Sequence, residues 1–446
     1  MKVEDRVDLE SLKKAAWPLT GARQDYDPLL ERIGDSNFAL LGEASHGTHE
    51  FYRQRAEITR RLITEKKFTA VAAEADWPDA YRLNRFVRGE PGDSEAVEAL
   101  SGFKRFPTWM WRNADVLDFL GWLRHHNDLL PPGETRAGFY GLDLYSLSES
   151  IAAVLQYLDK VDPEAAQRAR YRYSCFDHFG EDVQRYGYAA EFGLSPSCEK
   201  EVVEQLVELR QKAGERFLRE GLPDDELFFA EQNARVIRNA EQYYRVMFRN
   251  HVSSWNLRDR HMTETLEALF KHLKRRDGHA KLVVWAHNSH LGDARATELG
   301  HRGEWNVGQL ARERYGRDAV LVGFTTYTGT VTAASNWNGP AEQKRVRPAL
   351  PESWEALFHK LAIPDFLLTV TDGTSPAAIK IPEPLLERAI GVIYMPDIER
   401  VSHYFYADLQ SQFDSILHFD VTRAVEPLEH NPEWKSPVWE AFPPWG

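Results

Sequence analysis

The 446-residue chain lacks the features that mark secreted and membrane proteins. It has only two cysteines, Cys175 and Cys198, which is too few for a disulfide framework and is typical of a reducing compartment. No apolar run approaches the roughly 20 residues of a membrane-spanning helix, and the N-terminal segment has no apolar stretch typical of a signal peptide. We therefore expect a cytoplasmic protein with no membrane role.

Positive charge is also scarce. The chain carries 55 Lys and Arg residues against 68 Asp and Glu residues, which gives a net charge of −13. Such a surplus repels nucleic-acid backbones, so we expect no nucleic-acid partner. The 43% of hydrophobic and 28% of charged residues are nevertheless typical of a globular protein.

Several catalytic motifs are missing as well. There is no GxxxxGK[ST] loop for nucleotide phosphates, no GxGxxG after a predicted strand, and no GxSxG turn for a serine nucleophile. There is no HExxH helix and no cysteine pair at metal-ligand spacing. These absences exclude the commonest nucleotide-binding, serine hydrolase and zinc protease architectures.

What the chain does have is a series of short, non-alternating apolar runs. Apolar strands without alternation are typical of a sheet that is buried on both faces. The first two runs are joined by a segment at 48–67 with the apolar spacing of an amphipathic helix. A strand, a helix and a second strand in this order indicate that the two strands are parallel. We predict an α/β fold with a mostly parallel central sheet covered by helices on both faces. The predicted strands are 37–41, 69–73, 138–142, 281–285, 319–323, 390–394 and 415–419.

Residues 148–276 contain almost no strand-like runs and are rich in good helix formers. With no linker to mark a boundary, we predict a single domain over residues 1–446 with a helical insertion at 148–276. This insertion would form either a lid or wall over the site, or a layer that only covers the sheet.

Ionisable residues follow four of the predicted strands. Glu43 and His46 follow the first, Glu74 the second, Asp143 the third, and His287 and His290 a later one. In open parallel sheets, ligands bind beyond the carboxyl ends of the strands. The sequence therefore predicts an active site at this edge.

The spacing of Glu43 and His46 lets a carboxylate orient an imidazole that acts as general base. Gly42 and Gly47 flank them, which would permit positive φ angles or close approach of a ligand. The alternative interpretation is a helix-capping turn in which the imidazole is incidental.

The other candidates also have two interpretations. A buried Glu74 next to another acid would hold a proton for general-acid catalysis, or it would be a capping or salt-bridged acid. Arg55 would bind an oxyanion or a substrate carboxylate, or it would lie on a solvated helix face. Asp143 would orient a histidine or accept a bond from a substrate hydroxyl. An aromatic cluster at 77–111 would line a broad pocket or simply be core.

These motifs resemble the erythromycin esterase family. The resemblance lies in LGEASHGTHEFY at 41–52, Arg55, AAEADW at 72–77, FYGLD at 139–143, WNLRDRHM at 255–262, WAHNSH at 285–290, 323–333 and 413–414. It extends from about residue 20 to about residue 430, and the motifs occur in the family's order.

The resemblance implies a hydrolase that opens a carboxylic ester, as in a macrolactone ring, with a histidine that activates water and no covalent serine intermediate. It also covers relatives associated with succinoglycan biosynthesis. Carried onto this chain, it implies His46, Glu43, Glu74 and His287 as catalytic residues and Arg55, Asp143, Arg258 and His290 as substrate-binding residues.

We therefore expect a small-molecule ester or macrolide-like substrate and no cofactor. Two alternatives stay open: a metal-dependent hydrolase that uses the same His and Glu residues, and a non-catalytic binding protein.

Overall fold

The computed structural model describes residues 9–179, 183–220, 225–370, 384–429 and 434. Its centre is a nine-stranded sheet in the order β1-β8-β11-β6-β2-β5-β3-β4, with β7 paired to β6 and a separate pair formed by β9 and β10. The strands are β1 (Ala16–Pro18), β2 (Phe38–Leu41), β3 (Ala70–Asp76), β4 (Gly138–Asp143), β5 (Leu282–Trp285), β6 (Ala319–Ala333), β7 (Glu342–Val346), β8 (Asp365–Thr369), β9 (Leu385–Arg388), β10 (Tyr404–Ala407) and β11 (Ser415–Thr422).

The six strands from β11 to β4 in this order are all parallel to their neighbours. Within this sheet, antiparallel pairing occurs between β1 and β8, between β8 and β11, and between β6 and β7. The predicted fold class, a mostly parallel sheet between helices, is therefore confirmed.

Helices cover both faces of this sheet. They are α1 (Leu9–Ala15), α2 (Asp27–Ile33), α3 (His49–Lys66), α4 (Trp77–Val87), α5 (Ala96–Leu100), α6 (Ala114–Asp128), α7 (Leu147–Val161), α8 (Pro163–Tyr173), α9 (Val183–Glu191), α10 (Glu199–Glu220), α11 (Asp225–Val246), α12 (His251–Asp277), α13 (Asn288–Leu291), α14 (Glu298–His301), α15 (Val307–Tyr315), α16 (Trp354–His359), α17 (Glu399–Ser402) and α18 (Leu409–Gln412). In the described parts of the chain, no helix is both long and apolar enough to cross a bilayer.

Alternate residues of each central strand enter two different hydrophobic cores. In β2, Ala39 and Leu41 pack with α2, α3 and α6, whereas Phe38 and Leu40 pack with α12 and α15. Each strand residue therefore needs an apolar side chain, which explains why the runs do not alternate.

Between β4 and β5 the described residues form only helices, α7 to α12 and a short 3₁₀ segment. Leu147, Val154, Ala166, Leu206 and Ile237 belong to a third core that these helices share. Most of the region thus packs on a core distinct from the two that flank the sheet, while parts of α11 and α12 also pack in the core that contains Phe38 and Leu40.

Cys175 and Cys198 form a disulfide within this helical region. No disulfide was predicted from the sequence, but the fold brings these two residues, 23 positions apart, into bonding contact. Cysteine content consequently gives no support for a reducing compartment, and the cytoplasmic location stays a prediction.

The predicted strand at 390–394 was also wrong. Its residues make only isolated bridges, Ile390 with Ser45 and Ile393 with Ala334. The neighbouring strand is β9, which pairs with β10 outside the main sheet. The apolar run reflects burial beside the β2 loop rather than membership of a ladder.

Candidate active site

The loop after β2 brings Glu43 and His46 together. Glu43 Oε1 lies 2.9 Å from His46 Nδ1, and both residues are buried. Because the carboxylate accepts a hydrogen bond from Nδ1, it fixes the tautomer in which Nε2 carries the lone pair. Nε2 is therefore the nitrogen that can take a proton.

Segments distant in sequence hold this loop in place. The backbone N–H of His46 donates to the carbonyl of Ile390, and the Gly47 carbonyl accepts from Thr332 and Val425. A Cβ on Gly47 would lie 1.8 Å from the Thr332 carbonyl oxygen. Close packing against β6 therefore requires glycine at 47, and neither flanking glycine has a positive φ angle.

Arg55 lies behind this pair rather than at the cavity wall. Its Nη2 forms an ion pair with Glu43 Oε2 at 2.8 Å. The two groups are not aligned for a hydrogen bond. The guanidinium is fully buried and lies over the rings of Tyr52 and Trp285, 4.6 and 5.2 Å from their centroids. The structure thus places Arg55 where it can compensate the charge of Glu43.

Arg258, from α12, joins the carboxylates at the ends of β3 and β4. Its Nη2 donates to Glu74 Oε1 and to Asp143 Oδ2, each at 2.6 Å, and its Nε donates to Asp143 Oδ1 at 3.0 Å. Burial alone would raise the pKa of both acids, but the neighbouring cations hold the pKa of Glu74 and of Asp143 below their ordinary values. Glu74 is therefore ionised, and the proton expected on it is not favoured.

His290 lies on the other side of Glu74. Its Nδ1 contacts Asp259 Oδ1 at 2.9 Å, and its ring stacks on Trp255 at 4.5 Å. Burial opposes protonation, but Asp259 and Glu74 raise the pKa of His290 above its ordinary value. Its Nε2 is 3.1 Å from Arg258 Nη1 and 3.4 Å from Glu74 Oε1, so it accepts from the arginine when neutral and faces the carboxylate when protonated.

His287 is placed against His46, with ring centroids 5.0 Å apart. Its backbone N–H donates to Glu74 Oε2 at 2.9 Å, and its Nδ1 accepts the backbone N–H of Ser289 at 3.2 Å. Burial, followed by the proximity of His46, lowers the pKa of His287 to about 3. This imidazole is consequently neutral, with its proton on Nε2.

A cavity of about 190 Å³ opens beside these groups. Of the eight residues predicted for the site, four line it: His46, Glu74, Asp143 and Arg258. Glu43, Arg55, His287 and His290 lie behind them. Six of the eight residues thus lie at or after strand ends, and Arg55 from α3 and Arg258 from α12 join them.

The expected aromatic wall is present in part. Phe103, Phe106 and Trp111 line the cavity, whereas Trp77 and Tyr81 stack in the opposite core. The cavity is also lined by residues that were not predicted for the site, among them Asp76, Arg105, Tyr145 and Trp337. Only Asp76 carried a signal, since it follows a strand together with Glu74.

A metal site would require several of these side chains to converge on one point. Within the described ranges, no group of three or more His, Cys, Asp or Glu side chains converges closely enough to hold a metal ion. Glu74 and Asp143 are instead joined by the guanidinium of Arg258.

The fold and the cavity define an α/β protein whose ionisable groups stand at the carboxyl ends of parallel strands. The Erythromycin esterase family model matches residues 63–422, and the chain belongs to this family. Membership supports a hydrolase. The matched segment contains Glu74, Asp143, Arg258, His287 and His290, and it begins after the loop that carries Glu43 and His46.

Known proteins show the same relationship at low identity. The chain is 22% identical to an erythromycin esterase type II of Escherichia coli, over 69% of this chain and 73% of the relative. A crystal structure of a succinoglycan biosynthesis protein matches with a TM-score of 0.72 and 22% identity, covering 94% of this chain and 97% of that one. A mutant of the erythromycin esterase EreC in its open conformation matches with a TM-score of 0.63 and 16% identity, covering 89% and 93%.

Proposed function

We propose that this protein hydrolyses a carboxylic ester by activating water with His46. The observation that carries the proposal is the 2.9 Å contact between Glu43 Oε1 and His46 Nδ1, with the imidazole at the wall of the cavity. A histidine oriented in this way by a carboxylate is a suitable general base near neutral pH.

In the proposed reaction, His46 Nε2 takes a proton from water while the water oxygen bonds to the ester carbonyl carbon. The tetrahedral intermediate then collapses, its bond to the alkoxide breaks, and the imidazolium of His46 returns the proton to that alkoxide. The products are a carboxylic acid and an alcohol. No other proton donor is needed, which agrees with the ionised state of Glu74.

The surrounding charges suit these steps. Arg258 is a cation at the cavity wall and would stabilise the negative charge that develops on the carbonyl oxygen. Its ion pairs with Glu74 and Asp143 fix the guanidinium before substrate arrives. His287 stays neutral beside His46, so it does not oppose the imidazolium that forms there.

The test is hydrolysis of a panel of macrolactones and simple acyl esters, followed by mass spectrometry. We expect the wild-type protein to add one water to at least one substrate, and His46→Ala to lose at least ~100-fold in turnover, the lower range for a removed general base.

His49→Ala is the matched control. His49 lies three residues further on, but its Nδ1 is bonded to Asp115 at 2.8 Å and it is not part of the cavity wall. This variant should keep wild-type turnover. Near-wild-type turnover in folded His46→Ala would contradict the proposed mechanism, and activity that chelation abolishes and zinc restores would support a metal-dependent reaction instead.

A further inference from the structure

The cavity has two chemically different walls. One carries the groups of the proposed reaction, whereas the other is apolar and comes from three separate loops. Phe106 and Met110 precede α6, Trp337 lies between β6 and β7, and Val392 follows β9. The apolar residues line the same cavity as the reacting groups and play no part in the proposed proton transfers.

Trp337 is the outermost part of this apolar wall. It is 54% exposed, and its ring meets the ring of Phe106 edge-on, with centroids 5.1 Å apart and an interplanar angle of 61°. Single exposed aromatic residues are common on protein surfaces. This one is distinguished because it extends an aromatic surface from the catalytic cavity into solvent. We call Phe106 and Trp337 the aromatic shelf.

The volume of the cavity is small for a complete ligand. Ligand pockets usually measure ~300–1,000 Å³, whereas this cavity measures about 190 Å³. The reacting ester group and a short chain fit inside it. Any larger part of the substrate must leave through the mouth, where the aromatic shelf is the surface that it meets.

The charges of the polar wall bear on the same question. Arg258 is engaged by Glu74 and Asp143, and Arg105 binds Asp76 through two hydrogen bonds of 3.0 and 3.1 Å. Three carboxylates thus face two guanidiniums that are already paired. A carboxylate on the substrate would add a full fourth negative charge beside these two guanidiniums, which is unfavourable.

We propose that the aromatic shelf of Phe106 and Trp337 is a binding subsite for a planar apolar ring on the part of the substrate that extends out of the cavity, and that the site disfavours a carboxylate on the part that enters it. This rests on the proposed ester hydrolysis, since it assigns the substrate class of that cavity. It makes Trp337 a specificity-determining residue that takes no part in the chemistry.

The test measures binding separately from turnover. The probes are three non-hydrolysable amides: N-(2-naphthylmethyl)propionamide, N-methylpropionamide, and N-(2-naphthylmethyl)succinamate, which adds a carboxylate to the acyl part. Their dissociation constants are measured by calorimetry or ligand-observed NMR. The proteins are wild type, Trp337→Ala, Trp337→Phe and the control Trp17→Ala, in which the altered tryptophan is 49% exposed on β1.

We expect Trp337→Ala to weaken the naphthyl propionamide by about 3- to 10-fold, the range for losing one aromatic contact, and Trp337→Phe to weaken it less. Trp17→Ala should have no effect, and the methyl amide should be insensitive to every substitution. The succinamate should bind wild type at least ~10-fold more weakly than the propionamide.

The proposed role of the aromatic shelf as a binding subsite would be overturned if wild type and Trp337→Ala bound the naphthyl propionamide equally, or if wild type did not bind it. Equal binding of succinamate and propionamide would overturn the charge preference. The matching esters are then assayed for hydrolysis. If they stay intact while the amides show the expected Trp337 dependence, the shelf stands and the proposed hydrolysis fails.

Discussion

Individual carboxyl groups in this protein differ because of their neighbours. Glu74 is ionised since Arg258 and His290 lie against it, although it is buried. Glu387 is equally buried but has no cation in contact: Asn288 Nδ2 donates to its Oε1 at 3.3 Å, and its Oε2 has no partner among the described residues. Burial, with a further contribution from Glu355, raises the pKa of Glu387 to about 8.

This raised pKa predicts a stability that falls as pH rises. The folded state retains the proton of Glu387 between pH 4.5 and about 8, whereas the unfolded chain releases it near its ordinary pKa. The free energy of unfolding should therefore decline over that window, by about 3–5 kcal/mol from this group. Glu387→Gln should remove that part of the decline, and the measurement is urea unfolding at pH 5, 7 and 8.5.

The exposed Glu352 supplies the control for this comparison. Glu352→Gln should unfold like wild type at each pH. If the difference in free energy of unfolding between Glu387→Gln and wild type were the same at pH 5 and pH 8.5, the buried proton would not be on Glu387.

At the level of elements, the loop between β2 and α3 depends on its contact with β6. Gly47→Ala would force a Cβ against the Thr332 carbonyl and displace the bonds that Gly47 makes with Thr332 and Val425. We expect a loss of about 1–3 kcal/mol of stability. Since His46 precedes Gly47 directly, turnover should fall by at least ~10-fold.

Gly121→Ala gives the opposite expectation. Gly121 lies within α6, and a Cβ there would meet nothing within 4 Å. Alanine should stabilise this helix by about 0.5–1 kcal/mol and leave turnover unchanged. Thermal unfolding and steady-state kinetics of both variants check these expectations. If Gly47→Ala changed neither stability nor turnover, the loop between β2 and α3 would tolerate displacement.

The helical region between β4 and β5 contains a disulfide bond. The disulfide between Cys175 and Cys198 closes a short loop and links the segment after α8 to the start of α10. Replacing both cysteines by serine should destabilise this region by about 2–4 kcal/mol. Hydrogen exchange would show faster exchange in α8 to α10 than in β2 and β3, whereas a uniform change over the whole chain would contradict a local effect.

At the scale of the whole molecule, Asp414 links the two helical layers. It accepts Arg32 from α2 at 2.7 Å, Arg312 from α15 at 3.0 Å, and the backbone N–H of Leu321 at 2.8 Å. The helix α2 packs on one face of the sheet and α15 on the other. A single carboxylate at the start of β11 therefore connects both layers to the sheet.

Asp414→Asn should lower the free energy of unfolding by about 1–3 kcal/mol, because a charged acceptor is replaced in four hydrogen bonds, two of them from Arg312, while both arginines keep partial access to water. Chemical unfolding measures the loss. Asp397→Asn, which alters an exposed ion pair with Arg347, should change stability by less than ~1 kcal/mol. Similar losses in the two variants would argue against a linking role for Asp414.

The sequence was informative about the central strands, and it was less informative about the edges. β2 to β6 and β11 were predicted because burial on both faces requires unbroken apolar runs. β1, β7, β8, β9 and β10 were missed, since most are short and all pair at or outside the rim of the sheet, where composition is less constrained. The run at 390–394 misled because buried loops are also apolar.

The candidate site shows the same division. The ionisable residues at four strand ends could be predicted to share an edge, because parallel strands all present their carboxyl ends there. Arg105 and Trp337 gave no comparable signal, as each lies on a loop whose course depends on packing against distant segments.

The sequence by itself determined the fold class, the strands of the sheet centre and the residue types at the edge that carries the candidate site, because local periodicity and chain order are sufficient for these. Only the tertiary structure decided which charges are paired, that Glu74 is ionised and Glu387 is not, that Arg55 lies behind the cavity, and that Cys175 meets Cys198. The physical reason is that protonation and pairing depend on the few ångströms around each group, and those neighbours come from remote parts of the chain.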